Sequence, residues 1–171
     1  MNIKIDINDR DVRQRLAQLA AGCANLKPLM SNIGEEIRRM IEKNFAVGGR
    51  PDAWKPSARS RREGGMPLSD TGRLRRSFTV DAETNRVRVG TNVKYARIHQ
   101  FGGTTKAHII RAKNKKVLFW PGAKHPVIAV LHPGSKIPAR PFLTVTDDDQ
   151  RQISDMICKY IVSLYERGGT K

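Results

Sequence analysis

Apolar residues recur along this chain with two periods, and these periods predict most of its elements. Ile3, Ile5 and Ile7 alternate with polar neighbours, predicting a short first strand. Asn8 or Asp9 is placed to cap a helix over about Asp11–Ala24, with Val12, Leu16, Leu19 and Cys23 as its apolar stripe. Lys27-Pro28 marks a joint. Leu29, Ile33, Ile37, Met40, Ile41 and Phe45 then recur at three- and four-residue spacing, predicting a helix over Leu29–Ala46 that Gly48-Gly49 stops. Ser69 or Asp70 is expected to cap a helix beginning near Gly72. Phe78-Thr79-Val80 and Val87-Arg88-Val89 read as two strands about a turn at Asp81–Asn85. Val93–Phe101 predicts a short helix with Tyr95, Ile98 and Phe101 on one face, ended by Gly102-Gly103.

Further on, Ala107–Ala112 and Lys116–Trp120 read as a hairpin about a tight Lys113-Asn114-Lys115 turn, with Val127–Leu131 as a returning strand. Ile137–Phe142 contains Pro138 and Pro141, so it is expected to be an extended edge or connector. Ile137, Phe142 and Leu143 are its expected anchors to the core, and Arg140 is either a rigid structural pair, with Asp70 a candidate partner, or a hook for a neighbour. The last helix starts at Asp147-Asp148-Asp149, three acids that match a helix N-terminus, and carries Ile153, Met156, Ile157, Tyr160, Ile161 and Leu164 on one stripe up to Gly168-Gly169. The fold class is α+β. N-terminal helices and a long C-terminal helix pack on a small, mainly antiparallel sheet, from which a basic hairpin projects. One domain is expected, comprising a strand and helices over 1–46, a basic loop over 47–68, a sheet core with its hairpin over 69–145, and a final helix over 146–167. Arg50–Met66 reads as a loop, with Trp54 pinning one end to the core.

Charge changes the picture more than composition does. The chain of 171 residues has 32 Lys and Arg against 16 Asp and Glu, a formal net charge of +16. No Asp or Glu occurs from Thr84 to Thr146, a stretch holding twelve Lys and Arg. Such a field attracts polyanions or an acidic protein surface. Candidate contact residues are Arg59, Arg61 and Arg62 in the loop, Arg111, Lys113, Lys115 and Lys116 at the hairpin, and Arg140 in the connector. With 6% aromatic residues and neither Trp54 nor Trp120 interleaved with arginines, a base-stacking platform is not formed. Any DNA contact would therefore be made to phosphates, without sequence preference.

Catalytic chemistry finds little footing. His99, His108, His125 and His132 are nine, seventeen and seven residues apart, unlike a helical ligand pair, and the acid-free window removes the carboxylates that orient such ligands. They read as surface or interface histidines. Gly134-Ser135-Lys136 lacks the strand–turn–helix setting of a nucleophile elbow. Cys23 and Cys158 read as small helix residues, with Cys158 on the buried side. No cofactor, no metal and no enzymatic activity is expected. No apolar run reaches the roughly 20 residues of a membrane span, and the N-terminus is unlike a secretory signal.

Three runs occur in a suggestive order: Pro67-Leu68 with Asp70-Thr71-Gly72-Arg73-Leu74; Val89-Gly90-Thr91-Asn92 with Tyr95-Ala96 and Ile98-His99-Gln100-Phe101-Gly102; and Ile137-Pro138-Ala139-Arg140-Pro141-Phe142-Leu143. In order and spacing, over roughly Leu29 to Tyr165, the chain resembles the virion-morphogenesis or tail-completion proteins of Mu-like tailed phages. The resemblance implies a structural protein of late assembly, completing the tail or joining head to tail. It further implies a homo-oligomeric ring around the DNA channel, in contact with other tail or connector proteins at the neck or tail end of the virion, after assembly in the host cytoplasm. High net charge predicts that the isolated protein is monomeric or weakly associated. A non-specific DNA-binding protein that contacts phosphates through the acid-free region is the alternative.

Overall fold

The computed structural model describes residues 9–113, 116–120 and 122–167, so the expected Ile3–Ile7 strand and the terminal Gly168-Gly169 lie outside the described residues. The described chain is α+β, with helices α1 (Arg10–Ala24), α2 (Lys27–Val47), α3 (Ala58–Glu63), α4 (Ala96–Phe101) and α5 (Asp147–Arg167). The strands are β1 (Thr79–Ala82), β2 (Val87–Gly90), β3 (Gly103–Thr104), β4 (His108–Arg111), β5 (Ala129–His132) and β6 (Lys136–Ile137). They form three antiparallel two-stranded ribbons, β1–β2, β3–β6 and β4–β5. Two compact units result: residues 1–93 with 142–171, and residues 94–141.

The first unit is organised by α2. Its predicted stripe faces inward, with Leu29, Ile33, Met40, Ile41 and Phe45 all buried. Gly48 takes a left-handed conformation (φ 76°) and its N–H reaches the Asn44 carbonyl, closing the helix. The β1–β2 hairpin lies against α2 at Gly34. A Cβ there would overlap Val80 Cγ1 and come within 2.7 Å of Val87 Cγ2. Both valines are stiff at χ1, so the crossing requires glycine. Gly34→Ala gains about 1 kcal/mol of helix propensity and loses about 1–3 kcal/mol to overpacking, so a net fall in denaturation midpoint is expected. A midpoint above the parent's would show that the hairpin can move away.

Phe45 is the hub of the core. Its ring lies 5.5 Å from Trp54, 6.1 Å from Phe78 and 5.5 Å from Phe142, with Phe78 and Phe142 themselves 5.6 Å apart. Trp54 thus pins the Arg50–Met66 segment, and its backbone N–H also bonds the Gly48 carbonyl at 2.7 Å. Beside these rings runs a buried polar network. Asn44 Nδ2 donates to the Phe142 and Thr144 carbonyls at 2.9 and 3.0 Å, while its Oδ1 accepts from Arg50 Nε at 2.7 Å. Arg50 then grips Asp149 with both terminal nitrogens, at 3.0 and 2.9 Å. Asp149 in turn accepts the Thr146 N–H at 3.0 Å and returns its own N–H to Thr146 Oγ1 at 3.3 Å, a reciprocal cap at the start of α5.

Several expectations are corrected in this unit. The Arg50–Met66 segment is not all loop. Ser57 and Ser60 form a capping box, each hydroxyl accepting the other's N–H at 3.0 and 2.8 Å, and this starts α3. No α-helix begins near Gly72. The chain turns there with φ 71°, and a single 3-10 turn follows over Arg75–Ser77, where Ser77 Oγ donates to the Leu74 carbonyl at 2.7 Å. Asp9 stands at the start of α1, but its carboxylate takes Arg13 Nε at 2.7 Å instead of capping. The α1 stripe is not buried: Val12 and Leu16 are each 59% exposed. The face that meets α5 is rotated from it, carrying Gly22, whose missing Cβ makes room for Leu164, and Arg15, whose guanidinium lies 4.8 Å from the centre of the Tyr165 ring. Cys23 and Cys158 are both exposed free thiols. α5 begins at the predicted Asp147, yet Asp149 is a buried ion-pair member as well as a complement to the helix dipole.

Candidate functional site

The second unit, residues 94–141, holds ten of the chain's 32 Lys and Arg and none of its 16 acidic residues. Its central ribbon is β4–β5, registered His108↔His132, Ile109↔Leu131, Ile110↔Val130 and Arg111↔Ala129. The predicted tight hairpin between 107–112 and 116–120 is therefore corrected: β4 pairs with the returning strand. A Lys-Asn-Lys turn offers no glycine for a two-residue connection, and Pro121 directly follows Trp120 and could not donate to a ladder. The connection is wider, held by a bridge in which Leu118 and Val127 exchange backbone hydrogen bonds at 2.7 and 3.0 Å.

Side chains alternate across this ribbon. One face carries Ile109, Leu131 and Arg111, with Ile109 56% and Leu131 66% exposed. On the other, His108 and His132 stack with ring centres 5.2 Å apart. Ile110, Val130, Leu118, Phe119 and Trp120 line an apolar groove of about 500 Å³ there. Phe119, Trp120 and Ile128 are exposed as well. β-Branched residues produced β4 and β5, yet Ile109 and Leu131 on one of their faces stay exposed.

α4 shows the same inversion. It starts at Ala96 rather than Val93, and the Tyr95–Ile98–Phe101 face does not form a buried stripe: Phe101 is 74% exposed, while Ala96 is buried. A helix of six residues is too short for a full apolar stripe, and the small residue takes the packed side. Lys94, Arg97, Phe101 and Gly102 line a second cavity, of about 610 Å³. His99 is half-buried rather than at the surface. Burial, and then the neighbouring Arg140 charge, hold its pKa below the ordinary histidine value, and its buried Nδ1 has no hydrogen-bond partner among the described residues.

The predicted contact residues divide between the units. Arg59, Arg61 and Arg62 lie on α3 in the first. Arg59 donates to the Met66 carbonyl at 2.9 Å and lies 3.9 Å from Asp70, and Arg62 pairs with Glu63 at 2.6 Å. Arg61 is exposed, without a side-chain partner among the described residues. In the second unit, Arg111, Lys113 and Lys116 are exposed, and Lys115 lies outside the described residues. Arg140 is 5% exposed, its backbone N–H donates to the His99 carbonyl at 2.7 Å, and burial lowers its pKa. The connector that holds it is extended, β6 pairing with β3, and Phe142 is buried as expected; Leu143, also expected to anchor it, is exposed. Sequence reading missed the outward-facing Ile109, Phe119, Ile128 and Leu131. The signal was present, because a strand apolar on both faces within an acid-free stretch has either a buried position or an external partner.

Among the described residues, no three His, Cys, Asp or Glu side chains come together as a metal site, and no helix is long and apolar enough to cross a membrane. What the geometry defines is a basic unit that exposes large apolar side chains. The chain belongs to the phage virion morphogenesis family, whose sequence profile matches residues 7–162. It is 36% identical over 159 residues to the Mu-like prophage FluMu G protein 2 of Haemophilus influenzae, covering 92% of this chain and 95% of that protein. No solved structure matches it. Its role is in phage morphogenesis.

Proposed function

We propose that this protein is a structural component that completes the tail or joins head to tail, as one member of a ring around the DNA channel at the neck or tail end of the particle. The observation that carries this reading is the acid-free unit 94–141, which combines exposed Arg111, Lys113 and Lys116 with uncovered apolar strands. Apolar strands suit contacts between proteins. The cations suit a passing phosphate backbone, which they would hold loosely and without reading bases. Other tail or connector proteins are its partners in this reading.

Two measurements test it. Phage carrying a disrupted gene should yield DNA-filled heads and tails that stay unjoined or incomplete in electron micrographs, and normal infectious particles would overturn the reading. Duplex DNA should bind the purified protein weakly and with a steep salt dependence. Replacing Arg111, Lys113, Lys115 and Lys116 by Ser should lower the log–log salt slope by about 0.9 for each phosphate that is no longer neutralised, with the melting midpoint unchanged. A sequence preference that survives high salt would instead identify a specific DNA-binding protein.

A further inference from the structure

The charge of this chain is segregated, and the segregation matches two exposed apolar surfaces to each other. The β4–β5 ribbon exposes Ile109 and Leu131 on one face, with Arg111, Lys113 and Lys116 as the only exposed Lys or Arg among the described residues of 108–120. All 16 acidic residues lie outside the unit that contains it. Among the helices, α5 is the one with more acidic than basic residues, five against three. Its outer side exposes Val162, and Ile161 beside it is 47% exposed. Asp155, Cys158, Val162 and Glu166 recur there at three- and four-residue spacing, all exposed, so an acid stands at each end of the apolar turn.

We infer that the β4–β5 ribbon of one copy docks on the outer face of α5 of the next copy. The apolar side chains of Ile109 and Leu131 then meet Val162 and its neighbours, while Arg111 and Lys116 meet Asp155 and Glu166, which leaves phosphate contact in the assembled ring to Lys113 and the other cations of the unit. The two surfaces are different parts of the same chain, so the contact is heterologous, and repetition of it generates a closed ring or an open filament rather than a two-fold dimer. Each surface alone leaves large apolar side chains in water, and the ribbon's cations, with no acid beside them, are matched by Asp155 and Glu166 on a helix face that also exposes Lys159. This inference rests on the ring reading above and names the surfaces that would build it.

Cys158 provides the test, because it already sits on the α5 face and is exposed. In a Cys23→Ser background, adding Leu131→Cys and a short bis-maleimide should give a ladder of dimer, trimer and higher bands from the purified full-length protein. Arg111→Glu with Lys116→Glu should cut the ladder by about tenfold, since like charges then face each other. Adding Asp155→Lys and Glu166→Lys to that variant should restore it, an outcome that a role in DNA contact alone would not produce. A dimer formed through Cys158 without Leu131→Cys, a cross-link confined to one chain, or reversal without rescue would each overturn the docking. If the ladder fails while disruption of the gene still leaves heads and tails unjoined, the docking is wrong and the assembly role stands.

Discussion

Asp149→Ala is expected to destabilise the protein by about 3–5 kcal/mol in urea denaturation, among the largest effects of any single truncation. The carboxylate is 2% exposed and both its oxygens are held by Arg50, itself largely buried. Removing it leaves the guanidinium buried without its counter-charge, which costs far more than a surface pair is worth. The reciprocal cap on α5 goes too, worth about 1 kcal/mol. Asp149→Asn keeps the shape and part of the cap, so it should fall between parent and alanine. Titration gives a second readout. Burial alone would raise the Asp149 pKa, but the hydrogen bonds from Arg50 and Thr146 and the Arg50 charge more than offset it, and the carboxyl is held below its ordinary value. Its folded pKa is lower than its unfolded one of about 3.9, so its contribution is present above that pH and drains away as pH falls through the depressed value. Parent and Asp149→Asn should therefore converge in stability under strong acid and diverge above about pH 4. Parallel curves across that range, or an alanine variant within about 1 kcal/mol of the parent, would show that the pair is not what holds α5 to α2.

The second large effect is at Phe45. Phe45→Ala should cost about 3–5 kcal/mol, because the ring is 1% exposed and is shared by Trp54, Phe78 and Phe142 from three separate segments. Three well-separated stretches cannot collapse together into the space, so most of the cavity persists. Phe45→Leu fills much of it and should cost less than half as much. Fluorescence separates the outcomes, since Trp54 is buried against Phe45 while Trp120 is exposed. The alanine variant should red-shift the buried component in the folded protein, and an unchanged spectrum would mean the cluster had repacked. Both substitutions act far along the chain from the basic ribbon, so a variant that still folds should show the same affinity and salt slope for duplex DNA as the parent.

What could be read in the sequence follows from local periodicity. α2 is long enough for its stripe to fix its extent and its inner face, while on α5 the stripe is only half-buried and Ile161 is exposed; Gly48 and the Asp147–Asp149 run mark the end of α2 and the start of α5 through backbone chemistry alone. The extended Ile137–Phe142 connector follows from its two prolines, and the β1–β2 hairpin from alternation about a polar turn. The acid-free window, and with it the basic character of residues 94–141, needs no structure at all. Tertiary structure alone decided which apolar stripes are covered. Val12 and Leu16 on α1 and Phe101 on α4 have the spacing of core residues, yet they are exposed, because periodicity says which residues share a face and nothing about what lies opposite. The partner of β4 was likewise settled by pairing at a distance, Ile109 with Leu131 and Ile110 with Val130, against a nearer segment that a tight turn would have favoured. Least legible was the Asn44–Arg50–Asp149 network. Its members lie six and 99 residues apart, and each reads locally as a helix polar residue, a loop cation or a helix-dipole acid. Only the fold brings them into one buried place, where leaving any of them unpaired is costly and so all three are joined.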